Sequence, residues 1–277
     1  MPDRPLRPRS GNSAKSLLLT VLGEFVLPHG GTTWTATIVD ALGLLGVSER
    51  NARQAVARLK DQGLLDVERH GRRARWRLTS DGRHLLTVGT ERIYRFGTDG
   101  QDWDGRWVVV LAGAAEQQRA KRHRLRSQLT FAGFGFTGHG TAVSPHPERE
   151  KIAVEIVRDL DLADSAIVLV ATTSEMACGD VALLRAWDLD ALAHRYEAFV
   201  AAFEGRRHRT PEGRFTALVE LVHAWRQFPF GDPEIPARLL PPGWPGHTAK
   251  QLFDASHQLW SPDANVWYEN VEAAGSG

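Results

Sequence analysis

Apolar residues recur at helical spacing through the first fifth of the chain. Leu17, Leu18, Val21, Leu22 and Phe25 make one stripe between Ser13 and about Leu27, which Asn12 or Ser13 can cap and Pro28-His29-Gly30-Gly31 ends. Ile38, Val39, Leu42 and Leu45 make a second after Trp34-Thr35, broken at Gly46. Ser48 then caps a third, with Ala52, Ala55, Val56 and Leu59 on one face and Gly63 offering a left-handed stop. Beyond Gly63 the period drops to two. Leu65, Val67 and Arg69 alternate with Asp66 and Glu68, a turn falls at His70-Gly71, and Ala74, Trp76 and Leu78 alternate with Arg73, Arg75 and Arg77. Helix, helix, short glycine-containing joint, helix and hairpin, in that order, predict a winged helix-turn-helix. Thr79 can cap a further helix from Ser80 to about Tyr94.

The pattern changes after the loop-like residues Phe96 to Gly105. Trp107 to Leu111 reads as a buried strand, and a polar helical stretch follows from about Glu116 to Ala132. Phe134 to Phe136 and Thr141 to Ser144 read as two short strands around Gly138-His139-Gly140. Pro147-Glu148 then opens a helix carrying Ile152, Val154, Ile156, Val157 and Leu160, and Ala166 to Ala171 is another buried strand. The order β, α, β, β, α, β predicts a ferredoxin-like domain. The remainder is helical: Leu189, Leu192, Tyr196, Phe199 and Phe203 share one side, and Thr210-Pro211-Glu212 starts a helix through Phe215, Leu218, Val219, Val222, Trp225 and Phe228. Six prolines between Phe228 and Gly246, interleaved with Phe230, Ile235, Leu239, Leu240 and Trp244, predict a rigid surface loop, and a last helix runs from about His247 to Leu259. The fold class is thus α+β and multidomain. Its expected parts are a disordered arm over 1–12, a winged helix-turn-helix with its following helix over 13–95, a linker over 96–104, a ferredoxin-like domain over 105–180, an all-helical domain over 181–270 and a disordered tail over 271–277.

Charge gives this division a sense. The whole chain of 277 residues carries a formal net charge of +1, from 34 Lys and Arg against 33 Asp and Glu. Residues 1–83 hold 14 of those cations and 8 of the acids, a net of +6, which leaves 20 and 25, a net of −5, for the rest. Such sign separation points to an anion-binding module joined to domains with another task. Between Arg69 and Arg77 stand Arg69, Arg72, Arg73, Arg75 and Arg77 without an acid, a field suited to an anionic partner. A single cysteine, Cys178, excludes an internal disulfide framework or a cysteine-based metal cluster and fits a reducing cytoplasm. No apolar run has transmembrane length, and the basic, proline-rich opening lacks the apolar core of a signal peptide.

On the third helix the face opposite the apolar stripe carries Arg50, Arg53, Gln54 and the small Ala57, residue types that read base edges or permit close approach in a major groove. Arg50, Arg53 and Gln54 are the candidate base readers. Arg58, Lys60, Arg72, Arg73 and Arg75 are candidates for phosphates or the minor groove, although Arg58 could equally pair with Asp61 or Asp66 at the surface. A solvated basic face is the plain alternative. For an enzyme the signals are poor. The eleven histidines have no ligand spacing, no G-x-S-x-G nucleophile motif occurs, Cys178 has no nearby partner, and His139 and His146 read as surface residues. The expectation is no catalytic residue, no metal and no cofactor.

The chain is identified as a member of the PaaX family of bacterial transcriptional repressors, regulators of phenylacetic acid degradation operons. The stretches that carry this resemblance are Ser16 to Val26, Gly46 to Arg83, Arg92 to Leu111, Phe131 to Phe136, Trp187 to Phe199 and Val222 to Gly246, the last being the most specific for its Pro, Asp and Trp spacing. The resemblance implies a winged helix-turn-helix, a central ferredoxin-like domain similar to the Cas2 fold, an all-helical C-terminal domain, and a cytoplasmic homodimer that leaves its double-stranded DNA operator on binding an aryl-acyl-coenzyme A such as phenylacetyl-coenzyme A. One departure bears on the effector: Ala224-Trp225 stands where relatives often carry Glu-Tyr. An acyl-coenzyme A needs an anion site and an apolar pocket, and Arg106, Trp107, His223, Trp225, Arg226 and Trp244 supply those types. Two other readings compete. A Cas2-like domain could be a metal-dependent nuclease, but such an enzyme would want a carboxylate where the first strand ends in Val110-Leu111-Ala112-Gly113. A ligand-independent architectural DNA binder would not need the acidic accessory domains.

Overall fold

The computed structural model describes residues 13–98, 103–112, 119–137, 140–174 and 179–275. The expected arm, parts of the linker, His139, Cys178 and the last two residues of the tail lie outside them.

Helix α1 (Ala14–Val21) starts under Ser13, whose hydroxyl accepts from the Ser16 amide at 3.2 Å, and continues into a wider π-helical turn (Leu22–Val26). In that turn Glu24 accepts a hydrogen bond from the Tyr94 hydroxyl and stands 2.7 Å from His257 Nε2. Strand β1 (Thr32–Trp34) was not expected, since three residues are too few to show a period. Helices α2 (Thr35–Leu44) and α3 (Glu49–Asp61) follow, joined through Gly46 at φ 77°. Strands β2 (Leu65–His70) and β3 (Arg73–Leu78) pair antiparallel from Leu65↔Leu78 to His70↔Arg73, and β1 pairs with the other edge of β3. Gly63 at φ 71° makes the expected left-handed exit from α3. Helix α4 (Ser80–Arg95) begins where Thr79 accepts from the Gly82 amide.

The central strands are β4 (Arg106–Ala112), β5 (Gly135–Phe136), β6 (Ala142–Ser144) and β7 (Ala166–Thr172), and the helices between them are α5 (Arg119–Phe131) and α6 (Glu150–Asp159). The sheet order is β5-β6-β4-β7 with every pairing antiparallel, the arrangement a βαββαβ chain adopts when each helix crosses over one strand. One core joins Val108, Val110 and Phe134 to Leu125 and Leu129 of α5 and Ala153 and Val157 of α6. A separate cluster holds Trp103, Trp107 and Val143 against Leu183, Leu184 and Trp187. A short helix absent from the sequence reading, α7 (Gly179–Leu184), contributes to it. Gly135 must be glycine here, because a Cβ would lie 2.5 Å from the Trp187 ring.

Helices α8 (Leu189–Phe203), α9 (Pro211–Trp225) and α10 (Pro245–Gly275) complete the chain. The last helix does not stop near Leu259 but runs on through Pro262. A proline inside a helix costs about 3 kcal/mol, yet Trp260, Ala264 and Tyr268 are all buried and continue the apolar stripe past it. The Ser261 hydroxyl donates to the His257 carbonyl at 2.6 Å and Asn265 Nδ2 to the Ser261 carbonyl at 2.8 Å, which ties the helix across the break.

Compact units do not follow chain order. The first comprises the chain to Phe96, Phe199–Gln227 and Lys250 onward; the second comprises Gly97–Ala198 and Phe228–Ala249. The stretch 181–270, read above as one helical domain, is therefore shared between them. In the first unit Phe25 of the π turn packs on Phe215 of α9 and Tyr268 of α10, with centroids 4.7 and 5.4 Å away, so the N-terminal and C-terminal helices share one core.

Candidate nucleic-acid interface

Helix α3 is built to present one face. Ala52, Ala55, Val56 and Leu59 are buried against α1 and α2. Ser48 caps the start, accepting from the Asn51 amide, while Glu49 in the first turn and Arg58 and Lys60 in the last complement the helix dipole. Arg50, Arg53, Gln54, Ala57, Arg58 and Lys60 are exposed. At 100° per residue Arg50, Gln54 and Ala57 centre that outward face, with Arg53 and Lys60 toward one edge and Arg58 toward the other. Arg53 is held by Glu49 one turn earlier, Nε at 2.8 Å and Nη2 at 2.7 Å from the same carboxylate oxygen. An exposed i,i+4 pair of this kind is worth only about 0.3–0.5 kcal/mol, so it holds Arg53 weakly. Arg58 pairs with neither Asp61 nor Asp66.

The hairpin divides its cations. Arg72 and Arg73 stand exposed at the turn, where Gly71 has φ 62°. Arg73 lies over the Trp34 ring at 5.4 Å and its Nη1 reaches the Gly275 carbonyl at 3.4 Å. Arg75 is half-buried, lies over the same ring at 5.3 Å and donates to Thr32 Oγ1 at 2.9 Å. Arg77 pairs with Glu68 across the strands at 2.8 Å. Arg75 and Arg77 thus brace the sheet, while Arg73, which shares the Trp34 ring, and Arg72 are exposed. Trp34 is the residue that sequence reasoning missed. It is a buried platform for two arginines, and the only signal for it was a Thr-Thr-Trp run of strand-forming residues after Gly30-Gly31.

That platform is fixed from behind by α10. Glu272 accepts from the Thr33 hydroxyl at 2.8 Å and from the Trp34 amide at 3.3 Å, and a Cβ on Gly275 would lie 3.2 Å from Trp34. Thr35 Oγ1 donates to the Ala74 carbonyl and accepts from Trp76 Nε1, so the joint between β1 and α2 is bonded directly into the hairpin.

The six residues suggested for an effector are divided between the two units. His223, Trp225 and Arg226 belong to the first unit, Arg106, Trp107 and Trp244 to the second. Trp225 is 1% exposed, stacks on Phe253 with centroids 4.8 Å apart, and donates its indole N–H to the Ile93 carbonyl at 3.2 Å. His223 is buried with Nδ1 3.1 Å from Thr20 Oγ1, and Nε2 has no partner. Burial, and then the neighbouring Arg226, push its pKa down to about 4. Arg226 donates to the Ser16 carbonyl and to Thr20 Oγ1, and burial lowers its own pKa. In the second unit Trp107 is buried and donates to Asp180 at 2.9 Å. Arg106 is bound by Asp104, whose pKa its hydrogen bonds hold low. Trp244 meets Tyr196 edge-on at 6.1 Å.

The proline-rich loop is tied down by side-chain hydrogen bonds. His146, read as a surface residue, instead places Nε2 3.1 and 2.8 Å from the Pro233 and Glu234 carbonyls. Arg149 donates to the Pro233 and Gly133 carbonyls, and the half-buried Asp232 carboxylate accepts from the Tyr196 hydroxyl and the Glu234 amide. Burial pushes the Asp232 pKa up. Among the described residues no three His, Cys, Asp or Glu side chains converge as metal ligands do, and no helix is long and apolar enough to cross a membrane.

Fold and site together define an α+β protein whose exposed, cation-rich helix and basic hairpin lie beside one another in sequence, the hairpin being backed by the C-terminal helix. Three family models match it in succession: PaaX-like protein over residues 13–82, PaaX protein central Cas2-like domain over 100–180, and PaaX-like protein C-terminal domain over 187–270. The chain is 30% identical over 264 residues to the Transcriptional repressor PaaX of Escherichia coli (strain K12), covering 91% of this chain and 82% of that one. The chain belongs to the PaaX family. Its fold is also similar to that of the solved uncharacterized protein Rv0674 from Mycobacterium tuberculosis, with a TM-score of 0.61 at 20% identity over 96% of this chain and 99% of the other.

Proposed function

We propose that this protein is a sequence-specific DNA-binding transcriptional repressor whose first three helices and three-stranded sheet form a winged helix-turn-helix. One observation carries this reading: α3 buries its entire apolar face and leaves Arg50, Arg53 and Gln54 exposed, next in sequence to a hairpin whose turn arginines, Arg72 and Arg73, are exposed as well. In this reading Arg50, Arg53 and Gln54 contact base edges and Arg58, Lys60, Arg72 and Arg73 bind phosphates, while Arg75 orients the wing through Thr32 and Trp34. The kinship with a transcriptional repressor supports the sign of regulation.

Duplexes enriched from a random pool would define the operator, and titrations with two variants would test the roles. Arg53→Ala is expected to flatten base preference by about 1–3 kcal/mol at one position. Arg73→Ala is expected to weaken all sequences and lower the salt slope by about one. Wild-type behaviour in both would overturn the assignment.

The family resemblance further supports a homodimer released from DNA by an aryl-acyl-coenzyme A. Calorimetry with phenylacetyl-coenzyme A tests the effector, and sedimentation of the free protein tests the dimer. Absence of heat removes that compound, and a monomer removes the paired half-site geometry.

A further inference from the structure

The described part of the second unit contains a strongly charged surface that the reading above does not use. Helix α5 carries Arg119, Lys121, Arg122, His123, Arg124 and Arg126 among its 13 residues, with no aspartate or glutamate. Helix α6 packs on the same sheet face and serves as an internal comparison, since its outward residues are mixed: Glu150, Lys151, Glu155, Arg158 and Asp159. Both helices bury apolar side chains in one core, so packing does not require the bias of α5. Local helix stability opposes it, because Arg122 and Arg126 are like charges at i,i+4, a spacing that destabilises by about 0.2–0.5 kcal/mol.

Arg122, His123, Arg124 and Arg126 are exposed. Arg122, His123 and Arg124 have no hydrogen bond or ion pair among the described residues. Arg126 is held over the Phe136 ring at 4.4 Å, and Lys121 is turned aside to the Asp161 carbonyl at 3.4 Å. Helical spacing puts Arg122 and Arg126 toward one edge of the outward face, His123 near its centre and Arg124 toward the opposite edge. The strip is convex and carries charge without apolar anchors along these turns; the exposed Phe131 lies more than a turn beyond Arg126. A protein partner would be gripped through several buried anchors, and single-stranded nucleic acid through stacked rings. Guanidinium forks spread across an exposed helix face match phosphate oxygens.

We propose that the outward face of α5 is a second DNA-contacting surface, which binds backbone phosphates of duplex flanking the site read by α3. This rests on the DNA-binding reading above. The contact adds affinity without sequence preference, because phosphate contacts position and do not specify.

The test uses the full chain and a duplex recovered from the random pool, in long form and trimmed to the footprint. Wild type is expected to bind the long form more tightly, and Arg122→Ala/Arg124→Ala/Arg126→Ala to bind both forms alike with unchanged base preference. On the long duplex the salt slope should fall by about 2–3, at about 0.9 per phosphate released. The triple lysine variant should keep most of the slope, and Lys151→Glu on α6 should leave it unchanged. Should the triple alanine variant unfold, Arg122→Gln and Arg124→Gln tested singly are each expected to lower the slope by about one. Wild-type affinity and slope in these variants, with operator selection intact, would overturn the second surface alone. A pool from which wild type enriches nothing would overturn both readings. A variant deficit on immobilised polyglutamate but not on duplex would identify an acidic protein as the occupant and likewise overturn the proposal.

Discussion

Replacing Trp225 by alanine removes the side chain around which the aromatic core of the first unit is arranged. Its ring stacks on Phe253 at 4.8 Å and meets Phe199 at 5.3 Å and Phe96 at 5.8 Å. A buried tryptophan hides about 150–250 Å², which at about 25 cal/mol per Å² is roughly 4–6 kcal/mol before alanine's own share is subtracted. The Ile93 carbonyl also loses its donor, worth about 1 kcal/mol. Measured truncations of this kind cluster at about 3–5 kcal/mol. For a domain of this size that lowers Tm by roughly 6–20 °C. Trp225→Phe retains most of the stack but not the hydrogen bond, and a loss of about 1–2 kcal/mol is expected. Scanning calorimetry at neutral pH reads both variants. If Trp225→Ala melted within about 2 °C of wild type yet no longer answered phenylacetyl-coenzyme A, the residue would be a ligand contact and the core argument would be wrong.

Other outcomes follow from equally local geometry. His223 stays neutral in the folded state, so its share of stability is full above pH 6.5 and is lost as pH falls toward about 4; the ceiling is about 3 kcal/mol. The urea midpoint of wild type should therefore fall further between pH 7 and pH 4.5 than that of His223→Leu, and parallel shifts would refute the assignment. On α4 two glycines should respond with opposite signs. An alanine Cβ at Gly82 would stand 2.2 Å from the Leu64 carbonyl oxygen, whereas at Gly89 nothing lies within 4 Å; Gly82→Ala should lose at least about 2 kcal/mol and Gly89→Ala gain about 0.5–1. Glu272→Ala leaves the Thr33 hydroxyl and the Trp34 amide without their acceptor. Hydrogen exchange at Trp34 should quicken and DNA affinity drop, and unchanged exchange would show that α10 does not brace the wing.

The elements that local rules govern were legible. Ser48, Gly63, Thr79 and Thr210 mark helix ends through a capping oxygen or a positive φ, and the change of period after Gly63 located the hairpin within a residue or two. What failed was non-local. The last helix was expected to end near Leu259, because the sequence does not show the burial of Trp260, Ala264 and Tyr268 that carries it on through Pro262. Residue types on the candidate interface were also legible, but not which arginines were already engaged, since Arg75 finds its partner in Thr32 on a strand too short to detect. Among the effector candidates, burial was the hardest to read. Helix α9 is buried from Phe215 to Trp225 nearly all round, so a stripe that looked one-sided was a core element.

Because the first unit is assembled from the two ends of the sequence, its N-terminal helices must wait during synthesis. At roughly 5–20 residues per second, the stretch from Phe96 to Phe199 takes about 5–20 s to translate. Throughout that interval the surfaces of Phe25, Leu18 and Leu22 have neither α9 nor α10 to cover them. A gene fragment ending after α4 would contain the whole hairpin module and still expose this face, so it should aggregate or recruit chaperones. The better minimal DNA-binding fragment would keep α9 and α10 and replace the second unit with short linkers.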